Sequence, residues 1–205
     1  MPFVDVDGQN LYYEDTGGEL PVVVFSHGLL MDHEMFAPQV AALREDYRVI
    51  TWDERCHGQT ESTDDDFTYW DSADDLYGLL RHLGVERAVF AGMSQGGYLT
   101  LRLALDHPDL VAGLILLDTQ AREDAPENIV TYEALLKAWD EQGFDAVGEA
   151  ISYIILDARY PGTPYWIDKW SRVEDTERDL AFDAMVNRDS VVDSLPNITA
   201  PTLVV

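Results

Sequence analysis

Between Val89 and Tyr98 the chain changes period. Val89-Phe90-Ala91 is an apolar run with the look of a buried strand, and from Gln95 the apolar residues recur at helical spacing. The switch falls on Gly92-Met93-Ser94-Gln95-Gly96, where a strand must turn into a helix within a few residues. A turn that tight tolerates no bulky side chain two positions before or after its apex, and glycines occupy both places. Its apex is Ser94. A hydroxyl held there is exposed and oriented, and the N–H groups and positive dipole end of the following helix lie beside it.

The rest of the chain alternates in the same way. Phe3 to Val6 and Leu11 to Glu14 read as strands around a turn at Asp7-Gly8-Gln9-Asn10. Pro21 to Ser26, Tyr47 to Trp52, Arg87 to Ala91 and Val111 to Leu117 are apolar on both faces, the mark of buried parallel strands. Helical spacing fills Met35 to Leu43, Trp70 to Leu83 and Gln95 to His107, with Gly84 and Pro108 as stops. Strands and helices alternating at this length imply a mostly parallel sheet covered on both faces, with ligands at the carboxyl ends of its strands. His27-Gly28, Asp53, Ser94 and Asp118 all fall at such ends.

After Asp118 the alternation stops. From Pro126 to about Arg188 the pattern is helical only, with Leu135, Leu136, Trp139, Val147, Ile151, Ile154, Ile155, Leu180, Phe182 and Met185 as expected buried positions. Tyr160 to Trp166 reads as a turn between helices, and the tryptophans as core of this segment rather than substrate wall. Thr202-Leu203-Val204-Val205 reads as the start of another buried strand. The expected organisation is therefore a core over 1–120, a helical cap over 121–190 and a return to the core over 191–205. Asp64-Asp65-Asp66 reads as a solvated acidic loop.

Charge narrows the partners. Thirty-nine acidic residues against 13 basic ones give a net charge of -26, which disfavours nucleic acid and anionic membranes. Solubility is one reading of the acidity, and adaptation to a salt-rich cytoplasm, where screening relieves self-repulsion, is the other. No apolar run is long enough for a membrane span, and the first residues lack the basic and apolar regions of a secretion signal. With a single cysteine, Cys56, this points to a cytoplasmic protein.

Three motifs in order carry a family resemblance. Phe25-Ser26-His27-Gly28-Leu29 is similar to the His-Gly oxyanion loop of the α/β-hydrolase superfamily. Asp53-Glu54-Arg55-Cys56-His57-Gly58-Gln59-Thr60 resembles its Asp-x-Arg-Gly-x-Gly-x-Ser loop, and the Ser94 turn completes the set. The resemblance covers nearly the whole chain. It implies an α/β-hydrolase fold with an inserted helical cap, here lacking the last strand or strands and the C-terminal helix. It also implies a nucleophile at Ser94, an oxyanion hole from the backbone N–H groups of Gln95 and Leu29, and no cofactor. Serine rather than aspartate at the apex argues against the dehalogenase and epoxide-hydrolase branches.

Two departures stand out. Cys56 occupies the place of a motif glycine, where a positive φ would strain it. The family order of nucleophile, acid and then histidine asks for a histidine after Ser94, and the only one is His107, 13 residues along the same helix, about 20 Å at 1.5 Å per residue. His27 and His57 belong to motifs in which the family uses histidine structurally. His33 is left between a pocket role and a surface loop. Asp118 is the only in-chain candidate for the acid, against a plainer role at a strand end. The expected function is a serine hydrolase of esters or related acyl compounds, incomplete in this chain, with lactonase, carbon–carbon hydrolase and perhydrolase or haloperoxidase-like chemistry as relatives within the class. The alternative is a catalytically silent fragment or binding module that needs a complementing chain, and the open sheet edge offers a place for that chain or for a second copy.

Overall fold

The chain opens with an antiparallel hairpin, β1 (Phe3–Val6) and β2 (Gln9–Asp15), turning at Asp7 and Gly8. Parallel strands follow at β3 (Val22–Ser26), β4 (Arg48–Trp52), β5 (Ala88–Met93), β6 (Val111–Leu117) and β7 (Thr202–Val204). The computed structural model describes residues 2–61, 65–157 and 159–205. Its seven strands form one sheet in the order β1-β2-β4-β3-β5-β6-β7. Asp64 of the acidic triplet lies outside the described residues.

Side chains alternate across the sheet. Val24, Ile50, Phe90 and Leu114 face the larger core, packed under α2 (Tyr69–His82) and α3 (Gln95–Asp106). Val23, Phe25, Val49 and Ala91 face the other side, where Phe36 and α1 (Ala37–Leu43) cover them. This is why the strands read as apolar on both faces. Helix α2 starts where Thr68 and Asp71 satisfy each other's backbone N–H groups in a capping box, and a left-handed Gly84 (φ 66°) follows its end.

The segment between β6 and β7 is helical: α4 (Pro126–Gln142), α5 (Gly148–Ile155), α6 (Thr163–Trp170) and α7 (Asp175–Val186). Trp139, Trp166 and Trp170 are buried in the large core. Three local expectations change. Helix α6 starts at Thr163, so only the first part of Tyr160 to Trp166 is a turn; a proline in the first helical turn loses no hydrogen bond there and begins the helix rather than breaking it. Ile154 is exposed because it lines an open cleft rather than the packed core. Strand β7 and the residue after it are open to solvent over residues 1–205, with Leu203, Val204 and Val205 56–72% exposed and β7 laddered to β6 alone among the described residues.

Among the described residues, no helix is long and apolar enough to cross a membrane.

Candidate active site

Register brings the carboxyl ends of β3 and β5 together. Ser26 pairs with Gly92, so the chain beyond β3 passes directly over the turn that leaves β5. A Cβ at Gly92 would collide with the Gly96 backbone and one at Gly96 with the Ser26 carbonyl, which is why both positions are glycine. Ser94 sits at the apex with φ 49° and ψ -114°, a left-handed conformation that costs a non-glycine residue about 1–3 kcal/mol. Its hydroxyl makes no capping bond to α3, so the plainer reading of Ser94 as a helix cap does not describe it. The Ser94 carbonyl points into the helix, accepting from Gly97 N (2.9 Å), Tyr98 N (3.3 Å) and Thr119 Oγ1 (2.7 Å).

A cleft of about 320 Å³ opens above this turn. Ser94, Gly28, Leu29 and Asp118 line its floor end, and Tyr132, Leu135, Ile151, Ile155, Phe182 and Met185 form an apolar wall from the helical segment. Gly28 approaches closely, a Cβ there falling 3.7 Å from Ser94 Cβ. Leu29 thus stands beside the serine. The Gln95 side chain turns away from the cleft and is buried behind it. Asp118 faces the same cleft as Ser94, with φ 42° at the end of β6.

None of the histidines joins that cleft. His27 accepts from Glu54 N–H at Nε2 (3.0 Å), so its proton is on Nδ1, donated to the Gly28 carbonyl (2.9 Å). Burial, reinforced by nearby His57, lowers the His27 pKa to about 3. His57 donates from Nδ1 to the Arg55 carbonyl (2.7 Å) and receives the Gln95 amide at Nε2 (3.3 Å), and burial lowers its pKa too. His107 stacks on Tyr77 at 3.7 Å beyond the far end of α3, and His82 is exposed on α2.

His33 is neither pocket wall nor surface residue. It is buried, with Nδ1 2.8 Å from Asp53 Oδ1 and its backbone N–H on the same oxygen (2.7 Å). Burial opposes its charged form, but the Asp53 carboxylate, with Asp32 and Glu14, outweighs it and raises the pKa. Asp32, His33 and Asp53 bring three ligand-type atoms within 4.8 Å of one another, the one such group among the described residues. Those atoms are already engaged: Asp53 Oδ2 accepts Gln59 N–H (2.8 Å), and Asp32 pairs with Lys169. His33 and Asp53 hold each other, and Asp32 holds Lys169.

Sequence reasoning did not single out Glu54, which is buried beneath the serine turn with its carboxyl 2.6 Å from Gln95 Nε2. Burial raises its pKa to about 8. A hint lay in its place between two motif residues, yet loops ordinarily expose their carboxylates. Cys56 has the positive φ (60°) that its place in the motif suggested, and is buried against Ala181 and Ala184.

A family model described as alpha/beta hydrolase fold matches residues 21–200. The 3-oxoadipate enol-lactonase 1 of Acinetobacter baylyi is 33% identical over 145 residues, covering 70% of this chain and 48% of that protein. The chain spans about half the length of the curated relatives it matches. Among solved structures, an esterase from Thermogutta terrifontis superposes with a TM-score of 0.83 at 30% identity, over 99% of this chain and 77% of that one. The enol-lactonase from Burkholderia xenovorans LB400 gives 0.86 at 29% identity, over 99% and 80%.

Proposed function

The chain belongs to the alpha/beta hydrolase fold family, and from that premise we propose that it is a serine hydrolase cleaving a carboxylic ester or lactone through an acyl-enzyme at Ser94. The observation that carries the reading is the strained Ser94 turn at the floor of an apolar cleft, with Leu29 beside it and the start of α3 behind it. Ser94 Oγ attacks the acyl carbon while its proton passes to a base. The carbonyl oxygen becomes an oxyanion held by the Gln95 and Leu29 backbone N–H groups, each such donor contributing about 3–4 kcal/mol to the transition state in other enzymes. Collapse breaks the acyl C–O bond, and the leaving alcohol takes the proton from the base. Water, giving a proton to the same base, then attacks the acyl carbon, and the serine leaves with that proton as the acid is released. The esterase and enol-lactonase among the similar proteins are named for breaking acyl C–O bonds, which supports this bond class. The helical segment acts as the cap that encloses the acyl group.

The five histidines are otherwise engaged or distant, so in this reading the base comes from outside residues 1–205. Asp118, in the same cleft, is the in-chain carboxylate placed to orient or replace it.

That commitment of the histidines favours one alternative, a chain that binds acyl compounds without turning them over. A fluorophosphonate probe separates the two. Stoichiometric labelling that disappears in Ser94→Ala is the result expected of the hydrolase, whereas folded protein that stays unlabelled would leave the silent binding module.

A further inference from the structure

Both proposed oxyanion donors belong to planar trans peptides, in which the N–H points opposite to its own unit's carbonyl. Fixing that carbonyl therefore aims the N–H. For Leu29 the carbonyl is that of Gly28, which accepts from Met31 N–H (3.0 Å) and His27 Nδ1–H (2.9 Å). For Gln95 it is the Ser94 carbonyl with its three donors. The Cα end of the second donor is fixed as well, because every polar atom of the Gln95 side chain is engaged. Nε2 donates to Glu54 Oε2 (2.6 Å) and His57 Nε2 (3.3 Å), and Oε1 accepts from Tyr69 OH (3.3 Å).

These contacts meet at one residue. The Glu54 backbone N–H holds His27 Nε2, and His27 in turn holds the Gly28 carbonyl. The Glu54 carboxyl holds Gln95 directly. Its other oxygen, Oε1, and the Ser72 hydroxyl that faces it are both buried, with no further hydrogen-bond partner among the described residues. The Ser72 hydroxyl is the nearby donor for this carboxyl and moderates the rise in pKa, to about 8, that burial imposes on it.

We propose that Glu54 is the positioning residue of the oxyanion hole, joining its two donors: through its main chain and His27 to Leu29, and through its carboxyl to Gln95. Glu54 itself touches no substrate. The inference rests on the serine-hydrolase reading of Ser94.

Hydrolysis of p-nitrophenyl acetate by the wild type, Glu54→Leu, Glu54→Gln and Gln95→Met tests it, together with NMR hydrogen exchange of the Gln95 side-chain amide. A misaimed donor weakens the transition state rather than ground-state binding, so Glu54→Leu is expected to lower kcat at least tenfold with KM within threefold. Glu54→Gln keeps an acceptor for Gln95 Nε2 and should restore kcat to within threefold of wild type. Should Glu54→Leu not fold, Gln95→Met reports the same loss, since it breaks the clamp and keeps the backbone donor. Wild-type kcat in Glu54→Leu or Gln95→Met overturns the proposal, and so does Glu54→Gln falling as far as Glu54→Leu. Failure of the hydrolase reading looks different: Ser94→Ala would match the wild type. The amide then decides, with tenfold faster exchange in Glu54→Leu supporting the clamp and unchanged exchange overturning it.

Discussion

Three buried residues around the serine turn titrate in opposing senses, and their windows set the pH at which the fold is strongest. His27 and His57 stay neutral in the fold while the unfolded chain binds protons below about 6.5, so their stabilisation is lost as the pH falls from there. Glu54 works the other way. Between its ordinary value of 4.5 and about 8 the folded chain keeps a proton that the unfolded chain releases, so stability falls as the pH rises through that window. Asp75 reinforces the shift, and Arg55, Ser72 and Gln95 moderate it. His33, with a raised pKa, adds a second loss above 6.5. Each proton contributes a slope of at most about 1.4 kcal/mol per pH unit. Below 6.5 the two histidines oppose Glu54 and the buried Asp75, whose pKa is raised as well, and above it no group around the turn opposes Glu54. Chemical denaturation across pH 5 to 9 should therefore find maximum stability near pH 6.5, and Glu54→Gln should flatten the alkaline limb. An unchanged limb in that variant would place the loss elsewhere.

At the scale of elements, helix α6 grips the loop that carries Leu29. Trp170 Nε1 donates to the Leu30 carbonyl (2.7 Å), Lys169 pairs with Asp32 and with Glu34 (2.7 Å), and Tyr165 donates to Glu34. Leu30 is left-handed at φ 62°, which costs a leucine about 1–2 kcal/mol, so the loop relaxes if its hold is lost. Trp170→Phe keeps the ring packing and deletes the donor, leaving a buried carbonyl unsatisfied at about 1–3 kcal/mol. The variant should melt at a lower temperature and react more slowly with the phosphonate at Ser94; melting and labelling that both match the wild type would show that the grip carries nothing. Little of this was legible in the sequence. The strand Val111–Leu117 and the serine turn could be read because period and glycine spacing are local signals. The grip of Trp170 on Leu30 joins residues 140 apart, and Glu54 reaches Gln95 across 41, so neither leaves a mark in any window of the chain. His33 was misplaced for the same reason, since the carboxylate that buries it lies 20 residues on. Ile154 matched a helical stripe, but the stripe does not say whether its residues meet packed core or the open cleft that they line.

For the molecule as a whole the dominant quantity is charge. A net -26 on 205 residues makes the folded surface repel itself, and 13 basic residues are too few to pair one-to-one with more than a third of the 39 acidic ones. Salt at molar concentration shortens the screening length to about 3 Å and removes most of that repulsion. The melting temperature should therefore rise from dilute buffer to molar potassium chloride, and a flat or falling curve would reduce the acidity to a matter of solubility.

The neighbouring strands β6 and β7 are far apart along the chain: residues 118–201 leave the sheet at Leu117 and come back at Thr202. Closing a loop of roughly 80 residues costs about 4 kcal/mol of chain entropy before the first pair of that ladder can form. The pairing of Leu114, Ile115 and Leu116 with Thr202, Leu203 and Val204 is what closes that loop. The helical wall over the serine is thus strung between two neighbouring strands, and the β6–β7 ladder that joins its ends holds the cleft's two sides in register.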